Sequence, residues 1–228
     1  MVHGVSLSFT PAHRGGSGPP LVCLHGFTDT WRVWELVLPA LEDALRAYAW
    51  MLDRGAAPER VAVAGDSAAG GLVLSLLLSL GSEGLPMPGA VVLFCPSVDL
   101  SGATLLDASD DPSAEPIAEM AERCAAAYLA GHPIDDPIVS PLRADLRGLP
   151  PMLVQAATGD PVRQDSHLLT DRARSHGVDA RLELYPGTTH AFQMFWSFLP
   201  EGADALHAAG AFVREQRDAS SARGRELA

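Results

Sequence analysis

A serine, an aspartate and a histidine stand in this chain at spacings that suit acyl-transfer chemistry. Ser67 lies in Val61-Ala62-Val63-Ala64-Gly65-Asp66-Ser67-Ala68-Ala69-Gly70-Gly71. An apolar run stops at Gly-Asp-Ser and small residues follow, the layout of a tight strand-to-helix turn that presents a serine hydroxyl. A serine hydroxyl is a weak nucleophile near neutral pH, so it needs a base, and the base needs a group to orient it. Asp160, in Thr158-Gly159-Asp160-Pro161, and His190, in Thr188-Thr189-His190-Ala191-Phe192, supply both. In this scheme His190 takes the Ser67 proton, and Asp160 fixes the imidazole tautomer and stabilises the imidazolium. Asp165 stands close by as an alternative acid; its other reading is a solvated residue or the N-cap of a helix starting near Ser166.

Attack by such a serine on a carbonyl creates an oxyanion that needs hydrogen-bond donors. The N–H of Ala68 is one candidate. The second lies after the apolar run Leu21–Leu24, which ends at His25-Gly26-Phe27-Thr28. Phe27 N–H is the preferred donor, with Gly26 and Thr28 in the same loop. Trp31 and Phe192 are candidate substrate-binding walls. Ala69 departs from the G-x-S-x-G pattern, and its methyl is expected to crowd the strand–helix crossing.

These residues must be held by regular elements. Compact apolar runs at 21–24, 61–64, 90–95 and 152–156 read as strands of a buried sheet, and 181–185 reads as a fifth strand. Helical patterns separate them at 39–52, 68–80 and 166–175, and a last helix is expected over 204–216. Val5–Phe9 reads as a short edge strand. Strands alternating with helices predict a mostly parallel α/β sheet flanked by helices, with ligands at the carboxyl ends of the strands. Every candidate above follows a strand, so all are expected on one rim. Residues 1–218 read as one domain, with a cap-like insertion near 100–149, and 219–228 as a flexible tail.

Composition sets further bounds. The chain has 228 residues, 47% hydrophobic and 19% charged, and a net charge of −12. Such acidity disfavours nucleic acid and stable association with anionic membranes as partners. Cys23, Cys95 and Cys124 are odd in number and widely spaced, which argues against a disulfide framework or a zinc site. Cys23 and Cys95 sit in apolar runs and read as buried small hydrophobes. No metal or cofactor is called for, no secretory signal is evident, and a reducing, cytoplasmic location is the simplest expectation.

Several separate motifs occur together in order: Pro39-Ala40-Leu41-Glu42-Asp43-Ala44-Leu45, Ala64-Gly65-Asp66-Ser67-Ala68, Asp136-Pro137, Ser140-Pro141-Leu142, Leu149-Pro150-Pro151, Gly159-Asp160-Pro161, Pro186-Gly187 and His190-Ala191-Phe192. From about Leu38 to Glu215 the chain resembles the hormone-sensitive-lipase-like (bacterial family IV) carboxylesterases of the α/β-hydrolase fold. The resemblance implies a serine ester hydrolase of short-chain esters using Ser67, Asp160 and His190. Residues 21–41 look instead like the single-glycine oxyanion region of epoxide hydrolases, since His25-Gly26-Phe27-Thr28 replaces the family's His-Gly-Gly-Gly loop. The family's N-terminal cap and one core strand have no counterpart, which predicts a relatively open site and an exposed sheet edge at Leu21–Leu24. Val5–Phe9 or a second copy of the chain is expected to cover that edge. The competing reading is a catalytically weak small-molecule binding or scaffold protein on the same fold.

Overall fold

The computed structural model describes residues 21–24, 37–101, 122–123, 125–126, 129, 133–137 and 140–226. Five strands form one parallel sheet: β1 (Leu21–Leu24), β2 (Ala62–Asp66), β3 (Ala90–Phe94), β4 (Met152–Ala157) and β5 (Ala180–Tyr185). Their spatial order is β1-β2-β3-β4-β5. The chain therefore moves steadily across the sheet, each strand pairing with the one before it. β1 pairs directly with β2, Leu21 opposite Ala62 and Leu24 opposite Gly65. The strand before His25 and the strand before Ser67 are thus spatial neighbours, as the fold requires of them. Val5–Phe9 lies outside the described residues.

Four helices are described: α1 (Val37–Asp53), α2 (Ala68–Ser82), α3 (Arg163–Ser175) and α4 (Pro200–Glu226). The alternation of strand side chains decides which helix packs where. Val63, Val91, Leu93, Met152 and Val154 point to one face, where Ala44 and Tyr48 of α1, Leu74 and Leu77 of α2 and Leu169 of α3 cover them. Ala62, Ala64, Ala90, Val92 and Leu153 point to the other face and meet Ala209 and Phe212 of α4. On that side α4 lies against β3 and β4. Crossovers of one hand between neighbouring parallel strands put α1, α2 and α3 on the same face. α2 is buried along most of its length because the sheet and α1 enclose it. Its apolar run is thus a core helix, and among the described residues no helix is long and apolar enough to cross a membrane.

The larger differences from the sequence reading fall at two helices. α3 starts at Arg163, ahead of Ser166, and α4 runs from Pro200 to Glu226. The stretch from Ala219 to Glu226, expected as a tail, is helical because it continues α4 without a Pro or Gly-rich break. Most of the expected insertion at 100–149 lies outside the described residues.

Candidate active site

Ser67 sits between β2 and α2 with φ 52° and ψ −126°. A non-glycine residue at positive φ carries strain of about 1–3 kcal/mol, so the surroundings must enforce it. Three backbone bonds do so. Ser67 N–H donates to Phe94 O at 2.9 Å, and Ser67 O accepts from the N–H of Gly70 and of Ser97, each at 2.9 Å. The turn is as tight as the small residues suggest. A Cβ on Gly65 would lie 2.5 Å from Ala69 O, and one on Gly70 would lie 2.5 Å from the Pro96 Cβ. Ala69 itself is accommodated at 3% exposure. The crossing therefore excludes side chains at 65 and 70 and tolerates the methyl at 69, contrary to the expected crowding. Ala68 is the first residue of α2, so its N–H has no partner within the helix and lies beside the serine.

The histidine and the acid arrive on two loops that are joined to each other. Thr158 N–H donates to Tyr185 O and Gly159 N–H to Gly187 O, both at 2.8 Å, which ties the end of β4 to the end of β5. His190 Nε2 lies 2.8 Å from Ser67 Oγ. His190 Nδ1 lies 3.1 Å from Asp160 Oδ1 and 3.0 Å from Oδ2. The Asp160 side chain is fully buried, while that of His190 is 36% exposed. Val162 N–H donates to Asp160 Oδ1 at 2.9 Å and locks the carboxylate in place. Buried carboxylate oxygens on one side and the Ser67 hydroxyl on the other give the imidazole one orientation.

The carboxylate that meets His190 belongs to Asp160, and Asp165 bonds to backbone instead. Its Oδ2 accepts the N–H groups of Val98 at 2.6 Å and Asp99 at 2.9 Å, so it pins the loop after β3 to the first turn of α3. It is 1% exposed, which also removes the solvated reading. Phe192, expected to border the substrate, is 3% exposed and packs with Ala157 and Ala205. Its ring lies 5.3 Å from that of Tyr185, so it forms a floor beneath the histidine turn. Gly26, Phe27, Thr28 and Trp31 lie outside the described residues.

One neighbour was read only as a hydrophobe. Cys95, just past β3, places its Sγ within 4.8 Å of both an Asp160 carboxylate oxygen and a His190 ring nitrogen. Sulfur, oxygen and nitrogen so grouped resemble a metal-ligand set. The hydrogen bonds already made by His190 and Asp160, and a thiol pushed up to about 12 by burial and by the Asp160 charge, favour a protonated thiol instead. The sequence carried one signal for it: Cys95 ends a strand on the same rim as Ser67 and Asp160.

A parallel sheet bearing a serine on a strained turn, with an acid and a histidine beyond later strands, defines an α/β hydrolase. The model of a family described as alpha/beta hydrolase fold matches residues 37–194. The chain is 38% identical over 186 residues to an acetyl-hydrolase of Streptomyces hygroscopicus, covering 77% of this chain and 59% of that protein. A crystal structure of an esterase from the bacterial hormone-sensitive lipase family is 32% identical with a TM-score of 0.77, covering 89% of this chain and 78% of that one. Another, of EstE5 soaked with p-nitrophenyl butyrate, is 30% identical with a TM-score of 0.76 over the same shares. The chain belongs to the hormone-sensitive-lipase-like family of α/β hydrolases. It spans less than two thirds of the length of the curated relatives it matches.

Proposed function

We infer that the protein is a serine carboxylesterase that hydrolyses short-chain carboxylic esters through an acyl-enzyme. The observation that carries this reading is the continuous contact from Asp160 through both nitrogens of His190 to Ser67 Oγ. His190 Nε2 takes the Ser67 proton as Oγ attacks the ester carbonyl. Asp160 holds the proton on Nδ1 and stabilises the imidazolium. The Ala68 N–H faces the developing oxyanion, and the loop of Gly26, Phe27 and Thr28 supplies the further donors. Collapse of the tetrahedral adduct expels the alcohol, which leaves with the proton from His190. Water, deprotonated by the same nitrogen, then cleaves the acyl–Ser67 ester. The preference for short acyl groups draws on a relative named acetyl-hydrolase and on the relative soaked with a butyrate ester.

The test pairs a fluorophosphonate probe with a series of p-nitrophenyl esters. The probe is expected to label the parent protein and to leave Ser67→Ala unlabelled. Hydrolysis is expected to peak at acetate to butyrate. Equal labelling of parent and Ser67→Ala would overturn the mechanism, and a peak at long acyl chains would overturn the substrate class.

A further inference from the structure

Cys95 adopts φ 45°, a backbone conformation that costs a non-glycine residue energy, and its side chain is completely buried. Its N–H donates to Gln155 O at 2.6 Å, so the strain is held by β4. The outcome of this geometry is a thiol within 4.8 Å of Asp160 and His190 together. On its other side the thiol, as the amide is placed, donates to Gln193 Oε1 at 3.7 Å. Gln193 is 5% exposed, and the far end of its amide, Nε2, has no hydrogen-bond partner. An orphaned buried N–H is rarer than an under-used carbonyl. Turning the amide over removes the orphaned donor: the N–H then donates to sulfur, and the thiol proton is released toward the carboxylate.

We propose that Cys95 is a positioning residue of the site: its thiol, oriented by Gln193, donates to the Asp160 carboxylate and sets how strongly that carboxylate holds the His190 imidazolium. The proposal rests on the esterase reading only for its effect on catalysis. A thiol is a weak donor. It keeps water out of the carboxylate's surroundings while leaving most of the negative charge available to the imidazolium. Burial and the Asp160 charge keep the thiol protonated, so its role is that of a neutral donor. Other titratable side chains around the pair are engaged elsewhere. Arg163 donates to Thr158 O, and Asp165 accepts from Val98 and Asp99. Glu183 accepts from Tyr185 and from Gln155, and Asp204 of α4 faces Tyr185.

The sign of the effect follows from donor strength. Cys95→Ala leaves the carboxylate one donor short and more basic, which raises the His190 pKa. Cys95→Ser supplies a stronger donor, which lowers it. Each shift is expected at about half a pH unit, the size of one weak hydrogen bond. Gln193→Met, which cannot orient the thiol, is expected to shift in the Ala direction by less, and to add nothing in the Cys95→Ala background. The readouts are the His190 ring titration by NMR and the acid limb of kcat/KM for p-nitrophenyl acetate, with Tm recorded for each variant. Opposite shifts for Ala and Ser are the expected result. Shifts of the same sign, or a titration that stays in place while activity falls with Tm, would overturn the proposal. The NMR titration needs no turnover, so a parent protein that fails to hydrolyse esters overturns the esterase reading alone.

Discussion

Replacing Asp160 by Asn tests the orientation of the histidine directly. Asp160 Oδ1 accepts the Val162 N–H at 2.9 Å. The amide oxygen of an asparagine must take over that bond, because an NH2 group cannot accept it. The NH2 then takes the Oδ2 place 3.0 Å from His190 Nδ1, where it can only donate, and this favours the ring form in which Nδ1 accepts. The proton moves to Nε2, which points at Ser67 Oγ from 2.8 Å. A protonated Nε2 donates to the hydroxyl and cannot deprotonate it. The change also removes the charge that stabilises the imidazolium. That charge is worth about 4 kcal/mol at roughly 4 Å between charge centres and an effective dielectric of about 20. Together the two effects predict a fall in kcat of about 10³ to 10⁴. KM should change little, since the carboxylate is buried behind the ring and touches no substrate. Steady-state hydrolysis of p-nitrophenyl acetate by the folded variant, checked by circular dichroism, measures this. A variant retaining kcat within tenfold of the parent would refute the orienting role of Asp160.

Two further outcomes follow from buried groups. The Cys95 thiol and the Tyr48 hydroxyl are each pushed up to about 12, mainly by burial. In the unfolded chain they ionise near ~8.5 and ~10, so the folded chain holds protons that the unfolded chain releases. Stability should therefore be fully present below about pH 8.5 and decline as pH rises toward 12, read as a falling urea midpoint. Cys95→Ala should flatten the first part of that decline, and a midpoint constant to pH 10.5 would contradict it. Asp165→Ala strips two backbone N–H groups of their acceptor in a buried place. It should destabilise by roughly 2–4 kcal/mol in urea melts, with the His190 titration unmoved. A melt matching the parent would show that Asp165 does not hold the loop after β3.

The central strands β2, β3 and β4 were legible because each is a short, buried, largely apolar run closed by Gly, Asp or Pro. Two-sided burial in a parallel sheet writes itself into sequence as continuous hydrophobicity. Ser67, Asp160 and His190 were legible for a related reason: each follows such a run, and the carboxyl ends of parallel strands meet on one rim. What the sequence left open was the choice between Asp160 and Asp165, and the structure shows why. A helix beginning at Ser166 would leave Asp165 as a solvent-facing cap. With α3 beginning at Arg163, Asp165 falls in the first turn on the inward side, where it meets the N–H groups of Val98 and Asp99. Asp160, ahead of that turn, is fixed by the Val162 N–H and left to the imidazole. Cys95 is the buried residue its apolar run predicts, and that run says nothing of the polar groups beside it. Its chemistry depends on partners brought in by β4, the Asp160 loop and the turn after His190, none of which is near it in sequence. A residue at the end of a buried strand thus carries two messages. Composition speaks for its burial, and only its place on the rim speaks for what it touches.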